Sequence, residues 1–173
     1  MRPSIAAVPL LASALVGCAD PSPMSPTSNA TVPSLGAAAQ RSGTSRPFTG
    51  SCVLTFNPPP LPLPPVLHQV DTGTCHLTHL GQTDFYGEQD INFGAGTQSG
   101  WRRLTAANGD ELYFTHVGTS APAGPGLVRF VAQMTFTGGT GRFAGATGSA
   151  QGTGMANLIT RSSSVTIAGT INY

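Results

Sequence analysis

The chain contains no lysine, and all eight of its basic residues are arginine. That absence excludes Schiff-base chemistry, a Walker-type phosphate loop and any mechanism that needs a lysine nucleophile or base. Charge of either sign is scarce, at 9% of the residues, and no basic cluster exists beyond Arg102-Arg103. Phosphate-backbone binding draws on basic surface, so nucleic acid is not an expected partner. A helical hydrophobic period is missing from residue 48 onward. The glycine-rich stretches, 124–126 among them, precede no helix, which removes a phosphate-cradling reading.

Cysteine is also sparse: Cys18, Cys52 and Cys75 only. The first ends Leu15-Val16-Gly17-Cys18, which closes an apolar run behind the single charge of Arg2. That run, residues 5–16, is about 12 residues long and too short to span a bilayer core of roughly 30 Å as a helix. The segment resembles a bacterial lipoprotein signal peptide with its lipobox. The resemblance implies diacylglyceryl transfer to the Cys18 thiol, cleavage before it and acylation of the new amine, with residues 1–17 removed. Several acyl chains at about 0.8 kcal/mol per buried methylene then hold the protein on a membrane almost permanently. An ordinary secretory peptide with an incidental cysteine is the alternative. Ala19, and not an acidic residue, follows Cys18, so the expected address is the cell envelope, on the outer membrane. Without residues 1–17 the chain carries seven arginines against seven acidic residues, a formal net charge of zero.

Residues 18–46 are rich in Ser, Pro, Thr and Ala and hold hardly any bulky apolar residue beyond Val32 and Leu35. They read as a flexible tether reaching about 30 Å on average. In an oxidising compartment Cys52 and Cys75 remain as one pair. A bridge closing that loop contributes about 3 kcal/mol in the chain-entropy model. Two free buried thiols are the alternative.

Residues 47–173 read as one all-β domain. Period-two alternation puts Phe48, Cys52, Leu54 and Phe56 on one side, and likewise Phe85, Gly87, Ile91 and Phe93. Val128, Phe130, Ala132, Met134 and Phe136 form the cleanest stripe, and Val165, Ile167, Gly169, Ile171 and Tyr173 close the chain. About eight strands in a meander predict a single small antiparallel β-barrel, which removes exposed edges. A two-sheet sandwich is the alternative. Residues 58–65, dominated by proline, are expected as a stiff polyproline loop between the first two strands, with leucines that cover the barrel mouth.

One hairpin can be assigned a register. Asn108-Gly109 predicts a type I′ turn, so that Ala107 faces Asp110, Arg103 faces Phe114 and Trp101 faces His116. The face carrying Trp101, Arg103, Phe114 and His116 is the more aromatic and is expected to point inward as a ligand-pocket wall. The other face carries Arg102, Leu104 and Tyr113. No metal site is expected: His76 and His79, three apart on a strand, point to opposite faces. The carboxylates Asp84, Glu88 and Asp90 read as the solvent side of their strand.

The stretch Gly138-Gly139-Thr140-Gly141-Arg142-Phe143-Ala144-Gly145-Ala146-Thr147-Gly148 resembles the glycine-rich strand-turn signature of allene oxide cyclase and dirigent-like β-barrels. The closing Gly169-Thr170-Ile171-Asn172-Tyr173 is similar to the last strand of their bacterial relatives. That resemblance implies a barrel holding a small apolar or aromatic molecule. It carries over no catalytic residue and no cofactor. The expectation is a membrane-anchored extracytoplasmic barrel that binds such a ligand or a cell-envelope partner. An isomerase- or cyclase-like enzyme and a structural envelope module are the alternatives.

Overall fold

A computed structural model describes residues 44–60 and 62–173. Residues 1–43, which include the stretch expected as a signal peptide, Cys18 and most of the expected tether, lie outside the described residues.

Eight antiparallel strands follow in chain order: β1 (Ser45–Phe56), β2 (Val66–Leu77), β3 (Gly81–Asn92), β4 (Thr97–Ala106), β5 (Glu111–Gly124), β6 (Leu127–Gly139), β7 (Thr147–Asn157) and β8 (Ser162–Asn172). Each pairs with its neighbours, and β1 pairs with β8 from Ser45↔Asn172 to Thr55↔Ser162, closing the barrel. The sandwich alternative is thereby removed. Strand β1 starts at Ser45, two residues before the boundary expected from composition.

The apolar stripes face inward as expected: Phe48, Cys52, Leu54 and Phe56 on β1, Ala132, Met134 and Phe136 on β6, and Val165, Ile167 and Ile171 on β8 are all buried. Their outward neighbours Ser149, Gln151, Thr153, Ser164, Thr166 and Thr170 are exposed. Val53, Val117 and Val131 also face outward and are apolar.

The two ends of the barrel differ. At one end the β6–β7 connection makes a single 3₁₀ turn, Gly141–Phe143, whose Phe143 is fully buried. Phe48, Phe136 and Ile171 join it there, with Phe48 and Phe136 edge to face at 4.9 Å, and this end is plugged. At the other end lie the short β3–β4, β5–β6 and β7–β8 turns and the proline-rich β1–β2 loop. Phe56, Phe93, Phe130 and Leu158 stand around a hollow there.

Cys52 and Cys75 are directly opposed on β1 and β2 and are bridged inside the barrel. The free-thiol alternative is removed.

The β4–β5 hairpin departs from its expected register by one residue. Gly109 N–H donates to Ala106 O and Ala106 N–H to Asp110 O, both at 2.9 Å. Gly109 adopts φ +85°, so the connection is a three-residue turn with a left-handed glycine and not the two-residue type I′ turn. Ala106 therefore takes the place expected for Ala107, and Leu104 pairs with Leu112 and Arg103 with Tyr113. A slip of one residue reverses the faces of one strand against the other.

Candidate functional site

The register slip decides which side chains reach the interior. Arg102, Leu104 and Ala106 of β4 point inward, together with Leu112, Phe114 and His116 of β5. Phe114 and His116 thus lie where they were expected. Trp101 and Arg103 do not: they belong to the outer face, and the inward placement expected for them is corrected. The Trp101 ring, 42% exposed, leans on Tyr86 at 5.6 Å between centroids. Arg103 lies over the Tyr86 ring and 3.6 Å from Glu111. Tyr113 is outside as well, its hydroxyl donating to Glu111.

The interior side chains are unevenly divided. Strands β2 to β5 contribute polar groups, namely Gln69, Asp71, Gln89, Gln98, Arg102 and His116. Strands β6, β8 and β1 contribute an apolar wall that includes Phe130, Met134, Val165, Ile167 and Leu54. The inward positions of β7 are Ala150, Gly152, Gly154 and Ala156, too small to fill the space before them. The result is a cavity of about 80 Å³ with one polar side and one apolar side. It continues, through the shared residues Phe56, Gln69, Phe93 and Leu158, into a vestibule of about 430 Å³. Pro58, Pro59 and Leu63 of the proline-rich loop line that vestibule, in keeping with the cover expected of the loop.

The polar side is built in two cross-strand rows, each with a glycine gap. In the first, Asp71 faces Gly87, which faces Arg102. A Cβ on Gly87 would lie 2.0 Å from Arg102 Cδ, so the missing side chain lets the guanidinium cross β3. Arg102 Nη2 thereby meets Asp71 Oδ2 at 3.0 Å. In the second row, Gln69 faces Gln89, Gln89 faces Gly100 and Gly100 faces His116. His116 Nε2 reaches across to Gln89 Oε1 at 3.3 Å.

The charges of this network are consumed within it. Asp71 accepts from Gln69 Nε2 at 2.6 Å, from Gln89 Nε2 at 2.9 Å and from Arg102. Arg102 Nη1 donates to the carbonyl oxygens of Glu88 at 2.8 Å and Trp101 at 3.1 Å. Burial raises the Asp71 pKa, against the opposing pull of Arg102 and Gln69. Burial brings Arg102 down to about 10, with Asp71 holding it up, and it stays charged at neutral pH. Because ionised Asp71 takes the Gln89 amide N–H, the Gln89 oxygen is turned to His116, whose Nε2 then carries the proton. Burial, and after it the Arg102 charge, depresses His116 to about 3, so its imidazole is neutral. An interaction with the Gly100 backbone works weakly the other way, and Nδ1 is buried without a hydrogen bond of good geometry. Gln98, also buried in the wall, makes no side-chain hydrogen bond among the described residues.

The polar lining was missed from the sequence because Asp71 and Arg102 occupy positions that a hydrophobic-in, polar-out pattern gives to solvent. The signal that could have found them is the inward glycine Gly87, which shares a face with Phe85 and Ile91. The histidines away from the cavity do not converge. His68 contacts Asp90 at 3.0 Å on the outer face, and His79 Nε2 lies 2.9 Å from Pro47 O. Among the described residues no group of three or more potential metal ligands is assembled. Comparison with protein-family models, curated proteins and solved structures finds no match to this chain.

Proposed function

We propose that this protein is a lipid-anchored binding barrel of the bacterial cell envelope, taking up a small, largely apolar molecule at its open end. The observation that carries the reading is the half-polar, half-apolar cavity continuous with an apolar vestibule. A ligand site is usually concave and mostly apolar, with a few polar groups that fix orientation. The exposed Leu63, Phe93 and Ile159 around the vestibule supply an apolar approach to it. The lipobox ending at Cys18 supports the anchor, and the Cys52–Cys75 bridge fits an oxidising compartment.

Binding is favoured over isomerase- or cyclase-like catalysis by the state of the polar groups. A general base works best with a pKa near the ambient pH, and His116 at about 3 is a poor one. Asp71 is held by three donors and has no free role in proton transfer.

The test is uptake of an apolar fluorophore by the protein and by Ala156→Leu, which adds bulk to the cavity wall. Saturable uptake that falls at least tenfold in the variant, with the melting temperature kept, is the expected result. Equal uptake by both forms, or none by either, overturns the reading.

A further inference from the structure

We infer that the ligand carries an uncharged hydrogen-bonding head, a hydroxyl or carbonyl group, that enters the inner cavity beside Gln98 and His116 while its apolar body occupies the vestibule. The inference rests on the proposed binding function and specifies the ligand class. It follows from which polar groups in the wall remain uncommitted. Among the described residues Arg102 is the one arginine lining the inner cavity, Arg161 lying out at the vestibule, and it is matched by Asp71 at 3.0 Å with a further nitrogen committed to two backbone carbonyls. A carboxylate head would have to take Arg102 from Asp71 and leave that carboxylate buried beside a second one. Removing the partner from a buried charge is among the costliest single changes in a protein.

Gln98 and His116 differ from that pair. The Gln98 amide, 8% exposed, offers both a donor and an acceptor to the cavity and has no protein partner among the described residues. His116, 5% exposed, is neutral, with Nε2 on Gln89 and the Gly100 backbone against its ring, and it adds a polar edge to the wall beside Gln98. Buried polar groups are nearly always partnered, and a glutamine amide that lines the cavity with no protein partner points to a ligand that completes it. The dimensions agree. About 80 Å³ admits a head group and its first few atoms, and about 430 Å³ admits the remainder.

The experiment is displacement of a bound apolar fluorophore from the full chain by decan-1-ol and by decanoate at pH 8, where the acid is ionised. The expected result is that the alcohol displaces at a concentration at least tenfold lower. Gln98→Leu should weaken the alcohol about tenfold more than it weakens decanoate or the fluorophore. Equal or better displacement by decanoate overturns the uncharged head while leaving a binding barrel. So does an alcohol that displaces no better than decanoate, or one unaffected by Gln98→Leu. A wild-type protein that takes up no fluorophore at all overturns both this inference and the binding function.

Discussion

Asp71 and Arg102 are an ion pair inside a small barrel, both almost wholly removed from water. Such a pair is a weak source of net stability, because desolvation offsets most of the attraction, yet breaking it leaves an unpaired charge. Asp71→Ala should therefore destabilise the barrel by about 3–5 kcal/mol, while Asp71→Leu combined with Arg102→Met should come close to wild type. Chemical denaturation of the three forms checks this, and a single variant costing below about 1 kcal/mol would remove the pair from the account. Gly87→Ala should act on the same pair from outside it. Its new methyl would overlap Arg102 Cδ, so a loss of about 2–4 kcal/mol is expected, suppressed when Arg102 is already Ala. His116 sets the acid limb. Its folded pKa of about 3 lies below the ordinary 6.5, so between those values the unfolded chain binds the extra proton. Stability falls as pH drops through that window, by up to about 1.4 kcal/mol per pH unit. Asp71, with its pKa raised from 3.8, works in the opposite direction just above that value, because there the folded form holds the proton. Urea midpoints from pH 7 to pH 5 should decline for the wild type and decline less for His116→Gln. Parallel slopes would contradict the buried neutral imidazole.

At the scale of strands and turns, the Cys52–Cys75 bridge ties β1 to β2 below the proline-rich loop. Replacing both cysteines by alanine should cost about 3 kcal/mol, and the intact chain should weigh two protons less than its reduced form. Strands were legible where apolar residues recur at every second position. The β6 stripe from Val128 to Phe136 and the β8 stripe from Val165 to Ile171 both face inward for that reason. The β4–β5 hairpin was not legible in full. Asn-Gly serves a two-residue turn and also the last two residues of a three-residue turn, and the choice falls to tertiary packing. Leu104 and Leu112, both completely buried, are opposed only in the three-residue form. That same choice carried Trp101 and Arg103 to the outer face and Arg102 to the cavity. The candidate site was thus half visible in Phe114 and His116. Its other half, Asp71 with Arg102 and the flanking glutamines, is paired only through the β2–β3–β4 register and a glycine gap, neither of which local sequence specifies.

The described residues form a closed barrel plugged at one end by Phe48, Phe136 and Phe143 and open at the other. Closure satisfies every strand edge, so the interior need not be packed along its full length, and the small residues of β7 leave the upper part empty. The apolar side of such a cavity costs stability unless something occupies it. Occupancy by a ligand returns that cost, and a bound form should melt higher by mass action. The measurement that tests this most directly is native mass spectrometry of the protein taken from the envelope of a producing cell without refolding. The expected result is a retained small-molecule adduct that is released on denaturation and is absent from Ala156→Leu. A wild-type protein that carries no adduct and gains none, in mass or melting temperature, when offered uncharged amphiphiles would contradict it.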